Sequence, residues 1–271
     1  MTRKILFSVL AFVFTLSTVE LLIAQPSPNA LADQIKQLTE SRLSGINSVE
    51  IVTTTDMPMM PDEVVNVYVK QIVDGRAVLV QETDDDSDHE LVGGMYDGSF
   101  EEIVRGADSV SEDTYNGTRV YIVEITDRDL LNEYMEQDLD FDEEDDIVIE
   151  HATLWLDRDK LVPLKMEYKS NPSVGLTFRI LAEDYQDHSG LPIAHHLKIE
   201  LDGMEDMFSE EEIAEAREMM RQVEEQLAAM PESQRRMIER QMEGQMEQFE
   251  AMLEADSMSS FSIKVKSVTV N

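Results

Sequence analysis

The feature that most constrains this chain is a period of two in its polarity, repeated along much of its length. Val65, Val67 and Val69 alternate with Asn66, Tyr68 and Lys70, and Asp74-Gly75 separates that run from Ala77-Val78-Leu79-Val80. Successive side chains of a strand point to opposite faces, and Asp-Gly between two such runs marks a tight hairpin turn. Asn116-Gly117 introduces Val120–Ile125 in the same way. Further on, Val162, Leu164, Met166 and Tyr168 oppose Pro163, Lys165 and Glu167, while Leu176, Phe178 and Ile180 oppose Thr177 and Arg179. Ile193, His195, Leu197, Ile199 and Leu201 oppose Ala194, His196, Lys198 and Glu200, and Phe261, Ile263 and Val265 alternate with Ser262, Lys264 and Lys266. Many strands of one-sided polarity joined by short turns predict an antiparallel sheet with one face covered. No strand–helix rhythm is present, which argues against a doubly wound fold.

Two stretches carry a helical period instead. Leu31, Ile35, Leu38 and Leu43 predict a short helix from Asn29 onward. Residues 208–255 predict a helical insertion before the last strand. It opens with a capping box, Ser209 and Glu212, and carries Ile213, Ala216, Met220, Val223 and Leu227 as its apolar stripe. Pro231 breaks it, and a second stripe runs through Ile238, Met242, Met246, Phe249 and Leu253, so a helical hairpin or a bent helix is expected. Ten of the 17 methionines lie from Met204 onward.

The N-terminus points to export. Arg3 and Lys4 precede an apolar run from Ile5 to Val19, and Ala24 stands before the turn-rich Gln25-Pro26-Ser27-Pro28. This is the layout of a secretory signal peptide over residues 1–24, with residues 25–271 as a single domain; retention as an anchor is the alternative. The chain has no cysteine, which excludes disulfides, thiolate metal sites, a thiol nucleophile and a lipid-anchored N-terminal cysteine.

Composition narrows the partners. With 57 acidic against 22 basic residues, the net charge is −35, and such a surface repels nucleic acid and anionic headgroups. The hydrophobic share of 42% is that of a globular domain with a core. Acid in this excess suits a saline setting, where ions screen the self-repulsion.

Catalytic and metal-binding patterns fail one by one. Asp138-x-Asp140-x-Asp142 begins like a helical calcium loop, but Glu143 and Ile149 stand where Gly and Glu are needed, so a solvated acidic loop is expected. The run Asp84–His89 reads the same way. His195 and His196 are neighbours on a strand, so they face opposite ways and cannot chelate one ion together; His195, on the apolar side, is expected as a core or pocket-wall histidine. No Gly-x-Ser-x-Gly elbow exists, and Gly93-Gly94 lacks the context of a phosphate loop. Met242 and Met246, one turn apart, have the softness to bind Cu(I), but they continue an apolar stripe and are expected to pack. The expectation is a protein that is not an enzyme and has no cofactor or resident metal.

Three short segments carry a resemblance. Ala152-Thr153-Leu154-Trp155-Leu156-Asp157 followed by Leu161–Tyr168, and Asp184-Tyr185 followed by Ser189-Gly190-Leu191-Pro192, resemble the corresponding hairpins of LolA-like outer-membrane lipoprotein-sorting proteins. Ser41-Arg42-Leu43 before Ile46-Asn47-Ser48-Val49 resembles the opening of that superfamily more loosely. Val49-Glu50-Ile51-Val52-Thr53 departs from its usual first strand, and the insertion at 208–255 is longer than its pattern. The resemblance implies an α+β fold, an open antiparallel half-barrel whose concave face is covered by helices. It also implies periplasmic residence and a carrier role for lipoprotein acyl chains or another hydrophobic ligand. A monomer is expected. Leu164, Met166, Phe178, Ile180, Leu197 and Ile199 are the expected groove-facing residues. The alternative is an envelope protein–protein interaction or sensor protein on the same scaffold, contacting its partner through the Met-rich hairpin.

Overall fold

The computed structural model describes residues 25–56, 61, 63–82, 94–138, 147–203, 221 and 260–271. The expected signal peptide, the two acidic runs save Asp138, and the Met-rich insertion save residue 221 lie outside the described residues.

Helix α1 spans Pro28–Arg42. Ser27 caps it by accepting the Ala30 amide at 3.3 Å, and Pro28 occupies the first turn, where its missing N–H costs nothing. The hairpin β1 (Ser48–Thr55), β2 (Val64–Val73) and β3 (Arg76–Gln81) follows. Asp74 and Gly75 both have positive φ, as that tight turn requires. A single turn of 3-10 helix, Gly94–Tyr96, leads into α2 (Ser99–Arg105). Then come β4 (Ser109–Tyr115), β5 (Thr118–Ile125), α3 (Arg128–Asp138), β6 (Ile149–Asp157), β7 (Pro163–Ser170), β8 (Thr177–His188), β9 (Leu191–Asp202) and β10 (Ser260–Val270).

Among the described residues, ten strands form one antiparallel sheet in the order β3-β2-β1-β10-β9-β8-β7-β6-β5-β4. It remains open, because β3 and β4 end it on opposite sides. The chain passes between those edges through the 3-10 turn and α2. Strands β1 and β10 pair inside it, Val49 opposite Val270 and Thr55 opposite Ile263, with one bulge at Val52/Thr53.

Register aligns one apolar row across seven strands. Val110 lies opposite Val123, Val123 opposite Leu154, and Leu154 opposite Met166. Met166 lies opposite Ile180, Ile180 opposite Ile199, and Ile199 opposite Phe261. The helices cover this face. Leu31, Ala32 and Ile35 of α1, Phe100, Ile103 and Val104 of α2, and Leu131 of α3 share one buried cluster with it. A second cluster joins Leu43, Ile46, Val49, Ile51, Tyr68, Leu79, Tyr96, Leu191 and Ile193.

Polar contacts set the helices in place. Arg105 bonds Asp33 of α1 at 2.8 Å and Glu101 at 2.6 Å, and Arg76 of β3 reaches Glu102 at 2.9 Å. Asn132 of α3 accepts the Ile149 amide at 3.0 Å and donates to its carbonyl at 3.3 Å, pinning α3 to the start of β6.

In β2 the buried face is the opposite of the one its valines suggest. Asn66 and Tyr68 are buried, while Val65 is 54% exposed. Asn66 tolerates burial because Gln81, on the neighbouring strand, donates to its side-chain oxygen at 3.1 Å.

Candidate functional site: a helix-roofed groove

The six residues expected to line a groove fall on β7, β8 and β9. Ile199 is fully buried, and Phe178, Ile180 and Leu197 are nearly so; all four belong to the main cluster under the helices. Met166 is half-buried and packs against that cluster. Leu164 is half-buried in the stretch where β6 and β7 shift register, between the Trp155–Lys165 and Leu156–Pro163 pairs. The register brings Met166, Ile180 and Ile199 directly side by side, with Phe178 opposite Tyr168 and Leu197 opposite Ala182.

The row is filled by helix side chains. A cleft between α1, β3 and α2, lined by Ile35, Thr39, Ala77, Val78, Met95 and Gly98 among others, encloses about 20 Å³, room for one water. Ligand pockets usually run to roughly 300–1,000 Å³.

On the other face the next row is ionic. Glu124, Thr153, Glu167, Arg179 and Glu200 lie opposite one another in register. Glu167 accepts from Lys165 and Arg179, each at 2.9 Å, and pairs with Lys169 at 3.2 Å. Burial alone would push its carboxyl up, but bonds from three cations outweigh that and hold it at about 2. Lys165 also sits 4.2 Å over the Trp155 ring, and Tyr115 packs beside that ring. Tryptophan in the recognised hairpin is thus an outer-face residue, and Asp157 shapes the turn by accepting the amides of Asp159 and Lys160 at 2.8 Å.

One end of the sheet gathers polar groups that the sequence did not single out as a set. Arg42, at the last turn of α1, donates to the Lys160 carbonyl in the β6–β7 turn at 2.5 Å. Tyr185 of β8 donates to the Pro163 carbonyl at 2.6 Å, and Tyr96 donates to the Pro192 carbonyl at 2.8 Å. Burial holds both phenols well above their ordinary range. It also lowers the Arg42 guanidinium, against the opposing pull of Tyr96, Asp187 and Tyr185.

Sequence placed His195 as a core or pocket-wall residue, and the structure gives it a partner. Its Nε2 lies 2.8 Å from Nε2 of His188. The ring centroids are 5.1 Å apart and the planes differ by 10°, so the rings meet edge to edge through their Nε2 atoms. Burial and then His188 lower the His195 imidazole. His196 turns instead to Glu183, at 3.1 Å. Among the described residues, no group of three or more metal-ligating side chains converges, and no helix is long and apolar enough to cross a membrane.

No protein-family model and no curated protein matches the chain. Solved structures similar to it include a domain described as an outer membrane lipoprotein-sorting protein from Vibrio parahaemolyticus. It is 10% identical with a TM-score of 0.40, over 89% of this chain and 93% of that one. A DUF1329 family protein from Desulfovibrio piger is 9% identical with a TM-score of 0.42, over 90% and 92%. A LolA superfamily protein from Nitrosomonas europaea is 9% identical with a TM-score of 0.35, over 89% and 93%. The ten strands of the described residues make an open, helix-roofed antiparallel half-barrel, the architecture that the resemblance to LolA-like proteins implies.

Proposed function

We propose that this chain is an exported periplasmic carrier that binds a hydrophobic ligand, such as the acyl chains of a lipoprotein, and performs no chemistry on it. The observation that carries this reading is the apolar row from Val110 to Phe261, continuous across seven strands and roofed by three separate helices. A core needs apolar residues, but it does not need a roof made of short elements held at their ends by ion pairs such as Arg105–Asp33 and Arg76–Glu102. Such surface pairs are worth about 0–1 kcal/mol each, while an acyl chain gains roughly 0.8 kcal/mol per CH₂ removed from water. The ion pairs are thus a small part of what holds the roof, and the ligand's chain would have to take over the burial of roof side chains such as Leu31, Ile35, Phe100 and Ile103. Leu164, Met166, Phe178, Ile180, Leu197 and Ile199 are the proposed contacts.

The test is mass spectrometry of organic extracts from protein purified out of its native envelope. Co-purified lipid in near-stoichiometric amount supports the carrier. Absence of lipid, with a stable protein partner in crosslinking, supports an interaction or sensor protein instead. That second reading has one observation in its favour: Val65, Ile72 and Val73 of β2 are 54%, 69% and 42% exposed near an open sheet edge.

A further inference from the structure

Arg42 is an exception among the described arginines. Arg76, Arg105, Arg119, Arg128, Arg158 and Arg179 each have a carboxylate within 4.0 Å. Arg42 is half-buried and has none among the described residues, in a protein with 57 acidic side chains. A guanidinium presents five N–H donors, and the bond from Arg42 to the Lys160 carbonyl uses one. The guanidinium is half-buried and its nearby carboxylate, Asp187, lies beyond ion-pairing distance, so an anion brought to it would gain charged hydrogen bonds that the fold leaves unmade.

The surroundings define what kind of anion. Leu43, the next residue, belongs to the second apolar cluster, as do Tyr96 and Leu191, while Tyr185 packs against the main one. Arg42 therefore stands at the seam between the two clusters, at the end of the sheet where the β6–β7 turn and the β8–β9 hairpin meet. The hydroxyl hydrogens of Tyr96 and Tyr185 are committed to the Pro192 and Pro163 carbonyls, which leaves Arg42 as the available donor. Asp187 is the nearby negative charge, and it forms no ion pair with Arg42.

We infer that Arg42 receives the anionic headgroup, a carboxylate or a phosphate, of an amphiphile whose chain lies along the apolar row. This rests on the carrier reading and narrows its ligand class from hydrophobic to anionic. The planar fork of the guanidinium suits two-point pairing with either group. The acidic exterior repels the same headgroup, so the site discriminates by position and not by general attraction.

The experiment compares three single-chain probes on the full chain at pH 8: palmitate, palmitoyl lysophosphatidic acid and uncharged monopalmitoyl glycerol. Affinities are measured by displacement of a fluorescent acyl reporter, for wild type, Arg42→Gln and Arg42→Lys, each checked by its melting curve. Wild type should prefer an anionic probe by roughly 10- to 100-fold, the worth of a hydrogen bond to a charged group. Arg42→Gln should erase that preference and leave monopalmitoyl glycerol within about twofold, and Arg42→Lys should keep part of it. Preference for palmitate over the lysophospholipid, or the reverse, separates carboxylate from phosphate. Equal wild-type affinity for all three, or a preference that survives Arg42→Gln, overturns the inference while the carrier stands. Binding of none overturns both.

Discussion

Glu167 and Arg179 face each other across β7 and β8, with the Arg179 Nε donating to the Glu167 Oε2 at 2.9 Å. Arg179 continues to Asp202 at 2.5 Å, and Lys165 and Lys169 complete the set around Glu167. The carboxyl titrates at about 2 in the fold against an ordinary 4.5. Its folded value is the lower one, so its contribution is fully present above pH ~4.5 and fades as pH falls towards 2. Glu167→Gln should cost roughly 1.5–3 kcal/mol at pH 7, the range for hydrogen bonds to charged groups. Urea unfolding of both proteins from pH 7 to pH 2.5 checks this; the gap should narrow below pH 4.5, and a gap constant with pH contradicts it.

Gly203 follows β9 with φ of +89°, and a Cβ there would meet the Gly175 carbonyl oxygen at 2.6 Å. Gly45 has nearly the same φ, +87°, but open space around it. Both Gly→Ala changes bear the left-handed cost of about 1–2 kcal/mol; only Gly203→Ala adds a backbone clash. Chemical denaturation should therefore rank Gly203→Ala clearly below Gly45→Ala. Equal stabilities would mean that the 175–203 approach is not as close as described.

The proposed groove residues should separate by burial. Ile199 is 0% exposed in the main cluster, so Ile199→Ala should cost about 2–5 kcal/mol. Leu164, half-buried at the register shift, should cost less than Ile199 when cut to Ala. Denaturant midpoints with unchanged slopes provide the comparison, and the reverse order would put Leu164 in the core instead.

Charge gives a prediction independent of the groove. Added NaCl screens repulsion among 57 carboxylates against 22 basic side chains. The melting temperature should rise with salt, by about 2–4 °C for each kcal/mol relieved in a domain of this size. A flat response between low and molar salt would leave the acidity without a role in stability.

How far the sequence could be read depended on where each strand sits. Strands β7, β8 and β9 lie inside the sheet with one face on the core, so their alternation announces them. Strand β4 is an edge, and of Ser109–Tyr115 only Val110 is buried; a mostly solvated strand has no alternation to read. Helix α2 has seven residues, four of them buried, too short to display a helical period. In β2 the valines mark strand propensity without marking the buried side, because Asn66 is satisfied by Gln81, fifteen residues away. The same limit hid the end-of-sheet cluster. Arg42, Tyr96, Lys160 and Tyr185 are brought together by tertiary folding, and no local pattern links them. His188 and His195 sit seven apart on the two arms of a hairpin, whose geometry alone makes them a pair.

The most direct test of the groove is where a bound chain actually lies. A fatty acid carrying a photoactivatable diazirine along its chain should crosslink the purified full chain on the covered face of β7–β9, at Met166, Phe178, Ile180 or Ile199, as mapped by peptide mass spectrometry. Excess unlabelled fatty acid should suppress that labelling. Labels confined to the opposite face, around Trp155, Lys165 and Glu167, or no competable labelling, would contradict a ligand groove beneath the helices.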